Sequence, residues 1–141
     1  MFDDAVAQVA CLLTGGKCHA LGSSFFEPTL LDDMTPAMRV AKEDAFGPLA
    51  PLFRIGSDEE VLQMANDTGF GLAGYFYLRD IGRIRRIAEG LERGMVGINT
   101  GVISNEVAPF GGVKQPGLGR EGSHYGVDDY LAIKYLCMGG V

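Results

Sequence analysis

Tryptophan is absent from this sequence, and histidine and cysteine are scarce, with two and three copies. His19 and His124 lie far apart and lack the i,i+4 spacing of a helical metal site, so both read as surface histidines and no metal centre is expected. Cys11, Cys18 and Cys137 are odd in number and form no C-x-x-C pair, which argues against zinc and against a disulfide framework. Cys11 and Cys137 fall in apolar stretches and read as packed residues, Cys18 as part of a polar turn. Such usage suits a reducing, cytoplasmic location. Basic residues are also short: 12 Lys and Arg against 18 Asp and Glu leave a net charge of −6. That balance disfavours nucleic acid and anionic membrane as partners. No apolar run approaches the length that spans a bilayer, and no basic-then-apolar leader opens the chain, so no membrane partner is expected.

Glycine is abundant instead, 21 of 141 residues against a usual share of about 7%. The glycines are not periodic, which excludes collagen and repeat architectures, and they cluster between apolar segments as turn punctuation. One cluster, Gly117-Leu118-Gly119-Arg120-Glu121-Gly122, matches the dinucleotide fingerprint G-x-G-x-x-G. The fingerprint works only where a strand enters the first glycine and a helix opens at the last. Here Gly112, Val113, Lys114, Gln115 and Pro116 precede it with no apolar run to make a strand, so the better reading is a tight, irregular backbone passage that side chains would block.

The composition, 47% hydrophobic and 21% charged, supports a globular domain with a core. A helical stub is expected over residues 3–10, then a buried strand at Cys11-Leu12-Leu13. Residues 25–31 read as extended, 36–45 as holding a helical turn, and Leu49 to Ile55 as a strand weakened by Pro51. Ser57 with Glu60 forms a capping box for a helix through Val61, Leu62, Met64 and Ala65. A strand over Leu72–Leu78 follows. Asp80 then caps a helix carrying Ile81, Ile84, Ile87, Ala88 and Leu91, with Gly94 as its stop, and Met95–Ile98 is a strand. Arg83, Arg85, Arg86 and Arg93 mark that helix's solvated side. This alternation predicts an α/β fold with a parallel sheet. Beyond Asn99 come about twenty residues of little periodicity, a short helix over Arg120–Leu131 and a last apolar strand over Ile133–Met138. So long an irregular stretch is usually functional.

The motifs Glu43-Asp44-Ala45-Phe46-Gly47-Pro48, Pro109-Phe110-Gly111-Gly112 and Gly117-Leu118-Gly119-Arg120-Glu121 together resemble the C-terminal part of the NAD(P)-dependent aldehyde dehydrogenases. The segments Gly97-Ile98-Asn99-Thr100-Gly101, Ile103-Ser104-Asn105-Glu106-Val107-Ala108-Pro109 and Asp129-Tyr130-Leu131-Ala132-Ile133-Lys134-Tyr135 resemble the succinate-semialdehyde dehydrogenase branch. The likeness runs in register over about residues 3–140. It implies a partial catalytic domain of that fold over residues 1–131 and an oligomerisation strand and tail over 132–141. It further implies cofactor contacts from Asp44, to the nicotinamide ribose hydroxyls, and Phe46, near the nicotinamide. Ser104 is implied to hydrogen-bond the substrate's distal carboxylate and Phe110 to line the substrate tunnel. The cofactor implied is NAD or NADP, and the partners are a small-molecule aldehyde substrate in the intact enzyme and, through residues 132–138, either a second copy in a homo-oligomer or a dehydrogenase subunit.

The family's chemistry uses a cysteine nucleophile, a glutamate base and an asparagine oxyanion donor, all in its earlier portion. No cysteine of this chain stands in the expected context, so no catalytic residue is assigned. The chain is expected to be inactive alone, corresponding to roughly the last third of such an enzyme. Three positions depart from the family: Asp44 for the usual Glu, Pro116 for a Ser, and Ala132 for a Glu that often pairs with the arginine at position 120. The last change is expected to leave Arg120 without its acid partner. Two alternatives stand beside this reading: a non-catalytic module that docks on intact dehydrogenase subunits, and a gene remnant.

Overall fold

A computed structural model describes residues 1–22 and 24–140, and the chain forms two compact units, Met1–Gly69 and Phe70–Val141. The fold is mixed α/β with parallel strand pairs in both units.

In the first unit, helix α1 (Phe2–Ala7) precedes strands β1 (Cys11–Thr14), β2 (Thr29–Asp32) and β3 (Leu49–Pro51). The sheet order is β1-β2-β3, with β1 antiparallel and β3 parallel to β2. Leu31 on the central strand is completely buried, and Ala5, Met34, Met38 and Val40 pack around it, with Phe2 and Phe53 at the margin. Thr29 is buried as well. Its hydroxyl accepts from the Gly16 N–H and donates to the Glu27 carbonyl, both at 2.8 Å, so burial leaves no polar atom unmatched.

Two expectations fail here. Cys11, Leu12 and Leu13 are exposed, because β1 is the edge of its sheet and no layer covers it. The strand from Leu49 ends at Pro51 rather than Ile55, and its last contacts with the β2 side run through Leu52, whose N–H donates to the Leu31 carbonyl at 2.8 Å and whose carbonyl accepts from the Met34 N–H at 3.2 Å. The helical turn over 36–45 is a single 3-10 turn, Arg39–Ala41. Helix α2 (Asp58–Asn66) starts as the capping box dictates, with Ser57 Oγ accepting from the Glu60 N–H at 3.1 Å. The return contact is displaced by one residue: Glu60 Oε2 accepts from Gly56 N–H at 2.6 Å rather than from Ser57.

The second unit holds β4 (Phe70–Gly71), β5 (Ala73–Phe76), α3 (Ile81–Gly90), β6 (Met95–Ile98) and β7 (Val113–Lys114). Strands β5 and β6 pair in parallel through the α3 crossover, and β4 pairs antiparallel with β7. Asp80 Oδ1 accepts from the Arg83 N–H at 2.6 Å and so starts α3 as expected. Ile87 is its buried residue, while Ile81 is exposed and Arg85 pairs with Glu89 on the outer side. The helix ends before Leu91 rather than at Gly94. Gly94 is small for another reason: a Cβ there would collide with the backbone of Gly111 and Gly112.

The helix expected over Arg120–Leu131 is reduced to a 3-10 segment, Tyr125–Tyr130. Gly122 and Ser123 take positive φ, 64° and 51°, which a right-handed helix cannot pass through. The apolar tail forms no strand among the described residues. Ile133, Tyr135, Leu136 and Met138 are each more than four-fifths exposed, and Cys137 is exposed rather than packed. A strand needs a partner ladder, and none reaches these residues.

Candidate cofactor and substrate loops

Asp44 and Phe46 sit in the first unit, on the irregular segment between the Arg39–Ala41 turn and β3. Upstream, Arg39 and Glu43 form a bidentate i,i+4 pair at 2.7 and 3.1 Å, and the Arg39 N–H is capped by Asp4 at 3.0 Å. Hydrogen bonding to Arg39 holds the Glu43 carboxyl below the usual range. Downstream, the Pro48 carbonyl accepts from the buried Thr29 N–H at 2.7 Å, which fixes the segment to the sheet. Between these anchors the Asp44 carboxylate is exposed, and the Phe46 ring is 96% exposed. A large aromatic side chain so fully in solvent packs on nothing within its own unit. Beside it, Gly47, Pro48, Leu49 and Ala50 line one side of a mostly apolar recess of about 430 Å³.

These groups fit one end of a nicotinamide nucleotide: a carboxylate accepts from ribose hydroxyls, and an open aromatic face suits a planar ring. They do not supply a pyrophosphate cradle. The fingerprint-like run from Gly117 to Gly122 follows a two-residue strand and leads into no α-helix, so the geometry agrees with a backbone passage. Its tightness is literal: a Cβ on Gly111 would strike the Gly119 carbonyl and the Arg120 side chain.

Ser104 and Phe110 lie in the second unit on one loop. Phe110 is held firmly. It forms an isolated antiparallel bridge with Glu121, donating its N–H at 2.8 Å and accepting at 2.7 Å. Its side chain is half-buried and lines a cavity of about 440 Å³ with Leu72, Pro116, Arg120, Asp129 and Tyr130. Ser104 is exposed, and its hydroxyl takes no hydrogen-bond partner among the described residues.

Arg120 is not left without partners. Its Nη1 donates to the carbonyls of Gly112, Leu118 and Gly119 at 2.8–2.9 Å, which ties both ends of the glycine passage together. Backbone carbonyls thus stand where an acid side chain was expected. His19 and His124 are exposed, as expected, and Asp129 accepts from the Arg120 N–H at 3.3 Å. Among the described residues no cluster of His, Cys, Asp or Glu is arranged to hold a metal, and no helix is long and apolar enough to cross a membrane.

Sequence reasoning passed over Asn99 and Asn105. Asn99 binds Leu78, two residues past β5, through both amide atoms, and Asn105 closes the turn after Ser104. The available signal was an Asn at each turn, where its short amide substitutes for backbone partners.

A family model described as "Aldehyde dehydrogenase family" matches residues 1–136. The 3-sulfolactaldehyde dehydrogenase of Pseudomonas putida is 64% identical over 138 residues, covering 98% of this chain and 28% of that protein. The succinate-semialdehyde dehydrogenase of Escherichia coli (strain K12), whose name specifies NADP(+), is 59% identical over 136 residues, 96% of this chain and 28% of that protein. A crystal structure of succinate-semialdehyde dehydrogenase from Burkholderia pseudomallei superposes with a TM-score of 0.93 at 70% identity, over 97% of this chain and 28% of that one. The chain therefore spans less than a third of the length of the relatives it matches.

Proposed function

Because the chain belongs to the aldehyde dehydrogenase family, we propose that it is the C-terminal part of a succinate-semialdehyde dehydrogenase. The reaction is oxidation of succinate semialdehyde to succinate with NAD or NADP. One observation carries the reading: the family match runs from residue 1 to 136, and Asp44, Phe46, Ser104 and Phe110 fall in the sequence segments that resemble that family. The names of the relatives support the substrate class, since sulfolactaldehyde and succinate semialdehyde both carry an anionic group away from the aldehyde.

In this reading the Asp44 carboxylate accepts from the nicotinamide ribose and the exposed Phe46 ring lies against the nicotinamide. The bound cofactor supplies the hydride acceptor. The unpartnered Ser104 hydroxyl donates to the substrate's distal carboxylate, and Phe110 forms an apolar wall beside its carbon chain. A charge-assisted hydrogen bond of this kind contributes about 1.5–3 kcal/mol. The nucleophilic cysteine belongs to a part of the dehydrogenase outside these residues, so the isolated chain turns nothing over. Association with further dehydrogenase subunits runs through residues 132–138.

The test is direct. The purified chain is mixed with succinate semialdehyde and NAD or NADP, and absorbance of the reduced cofactor is followed. No turnover is expected; turnover abolished by thiol alkylation would overturn the assignment of the chemistry to other residues. Replacing the matching segment of the E. coli enzyme by this chain is expected to keep activity on succinate semialdehyde. The exposed tail favours one second reading, a non-catalytic module docking on intact subunits, which co-purification of the separate chain with a full-length dehydrogenase would support.

A further inference from the structure

Ser104 lies between two anchors. Before it, the Ile103 side chain packs over Gly97 of β6, close enough that a Cβ on the glycine would meet Ile103 Cγ2 at 2.9 Å. After it, Asn105 Oδ1 accepts from two successive backbone donors, Val107 N–H and Ala108 N–H, each at 3.0 Å. The closed turn is then tied to the glycine passage, where Ser123 N–H donates to the Glu106 carbonyl at 2.9 Å and Gly122 lies against the Ala108 carbonyl. The Phe110–Glu121 bridge continues the same attachment. Within these anchors the Asn105 side-chain oxygen is what closes the turn that follows Ser104.

We propose that Asn105 is a positioning residue that determines preference for aldehydes with a distal carboxylate, by fixing where the Ser104 hydroxyl sits. This rests on the reading of Ser104 given above. Asn105 makes its bonds to backbone, so it acts on substrate only through its neighbour. An amide suits the role because its oxygen accepts twice without placing a negative charge beside an incoming carboxylate. Were the oxygen removed, the Val107 N–H would lose its acceptor and the Ala108 N–H would keep only a longer bond, 3.4 Å, to the Asn105 carbonyl, so the turn would loosen towards water. The hydroxyl would then spend less time where the carboxylate arrives.

The experiment uses the full-length enzyme in which this chain replaces the matching segment of the E. coli dehydrogenase. Initial rates are measured with succinate semialdehyde and with butanal, which has the same chain length and no charge. Asn105→Ala is expected to raise KM for succinate semialdehyde about tenfold, with kcat and the butanal parameters changed less than about twofold. Asn105→Ser, which keeps an acceptor oxygen at that position, is expected to restore most of the preference. Asn105→Gln, whose acceptor is displaced by a methylene, reads the same way as the alanine variant should that one not assemble. The double variant Ser104→Ala with Asn105→Ala is expected to lose no more than Ser104→Ala alone. Equal losses on both substrates, or additive losses in the double variant, would overturn the proposal while leaving Ser104 in its role. If Ser104→Ala itself leaves the preference intact, the reading of Ser104 fails and this inference fails with it.

Discussion

Asn99 grips Leu78 with both atoms of its amide: Nδ2 donates to the Leu78 carbonyl and Oδ1 accepts from the Leu78 N–H, each at 2.8 Å. The side chain thereby extends the β5–β6 ladder after the strands have separated, one step past the Asn99 N–H bond to the Phe76 carbonyl at 2.9 Å. Asn99 does this from a left-handed backbone with φ of 55°, a conformation that asparagine tolerates better than most residues. Asn99→Ala removes two hydrogen bonds and adds backbone strain, an expected loss of about 2 kcal/mol. Asn99→Gly relieves the strain alone and is expected to recover about half of it. Urea unfolding measures both, and a glycine variant less stable than the alanine one would contradict the account.

Tyr75 and Gly97 face each other in the parallel register of β5 and β6, and the tyrosine ring covers the glycine. Glycine weakens a strand unless something large fills its place. Here the ring and Ile103 fill it together, so a methyl at position 97 has nowhere to go. Gly97→Ala is expected to destabilise by about 1–3 kcal/mol through overpacking. Adding Tyr75→Ala should return part of that loss by removing the ring. Additive destabilisation in the double variant, read by thermal melting, would mean that the ring and the glycine are not coupled.

Glu43 provides a pH dependence with a defined sign. Hydrogen bonding from Arg39 lowers its pKa from the ordinary value of 4.5, and desolvation opposes this more weakly. The folded state therefore holds Glu43 ionised more readily than the unfolded state does. The resulting stabilisation is present above pH 4.5 and is lost as pH falls through the lower folded value. Both partners are solvent-exposed, so the effect is small. In an NMR titration, Arg39→Ala is expected to move the Glu43 midpoint upward; an unchanged midpoint would remove Arg39 as the cause.

The elements readable in the sequence were those whose rules are local. Ser57 and Asp80 cap their helices through the N–H three residues on, and the β5–α3–β6 crossover follows from a period that changes from strand to helix and back. What escaped depended on residues distant in sequence or on which strand lies at a sheet edge. Cys11 is apolar by type but lies on an uncovered edge strand. Gly94 looked like a helix stop, whereas its contact is with Gly111, far along the chain. Lys114 adopts a φ of 65° at the start of the glycine passage, although its side chain is not one that favours that region. For the site, Ser104 and Phe110 were marked by their motifs, while Asn105 stood in the same segment as Ser104 without a role of its own. Its importance lies in two bonds to backbone N–H groups that only a specific turn brings together.

The tail supplies the last prediction. Ile133, Tyr135, Leu136 and Met138 are almost fully exposed and follow the 3-10 segment without pairing to any strand among the described residues. Four large apolar side chains held in water in so short a run are unfavourable unless another surface removes them from it. The backbone N–H and C=O groups of the same residues have no partner among the described residues, and a segment with both features pairs readily with a neighbouring sheet edge. Side chains of this size contribute about 1.5–3 kcal/mol each when buried, which corresponds to roughly tenfold to hundredfold in a dissociation constant per residue. Sedimentation of the purified chain should therefore show association that weakens at least tenfold in Ile133→Lys and in Tyr135→Lys, because a charged ammonium cannot follow the strand into an apolar seam. Lysine at Val102, also exposed but on the loop after β6, should leave association unchanged. If all three variants and the parent chain sediment as the same monomer, the tail has no self-pairing role. Its apolar face must then meet a dehydrogenase subunit of different sequence, or nothing at all.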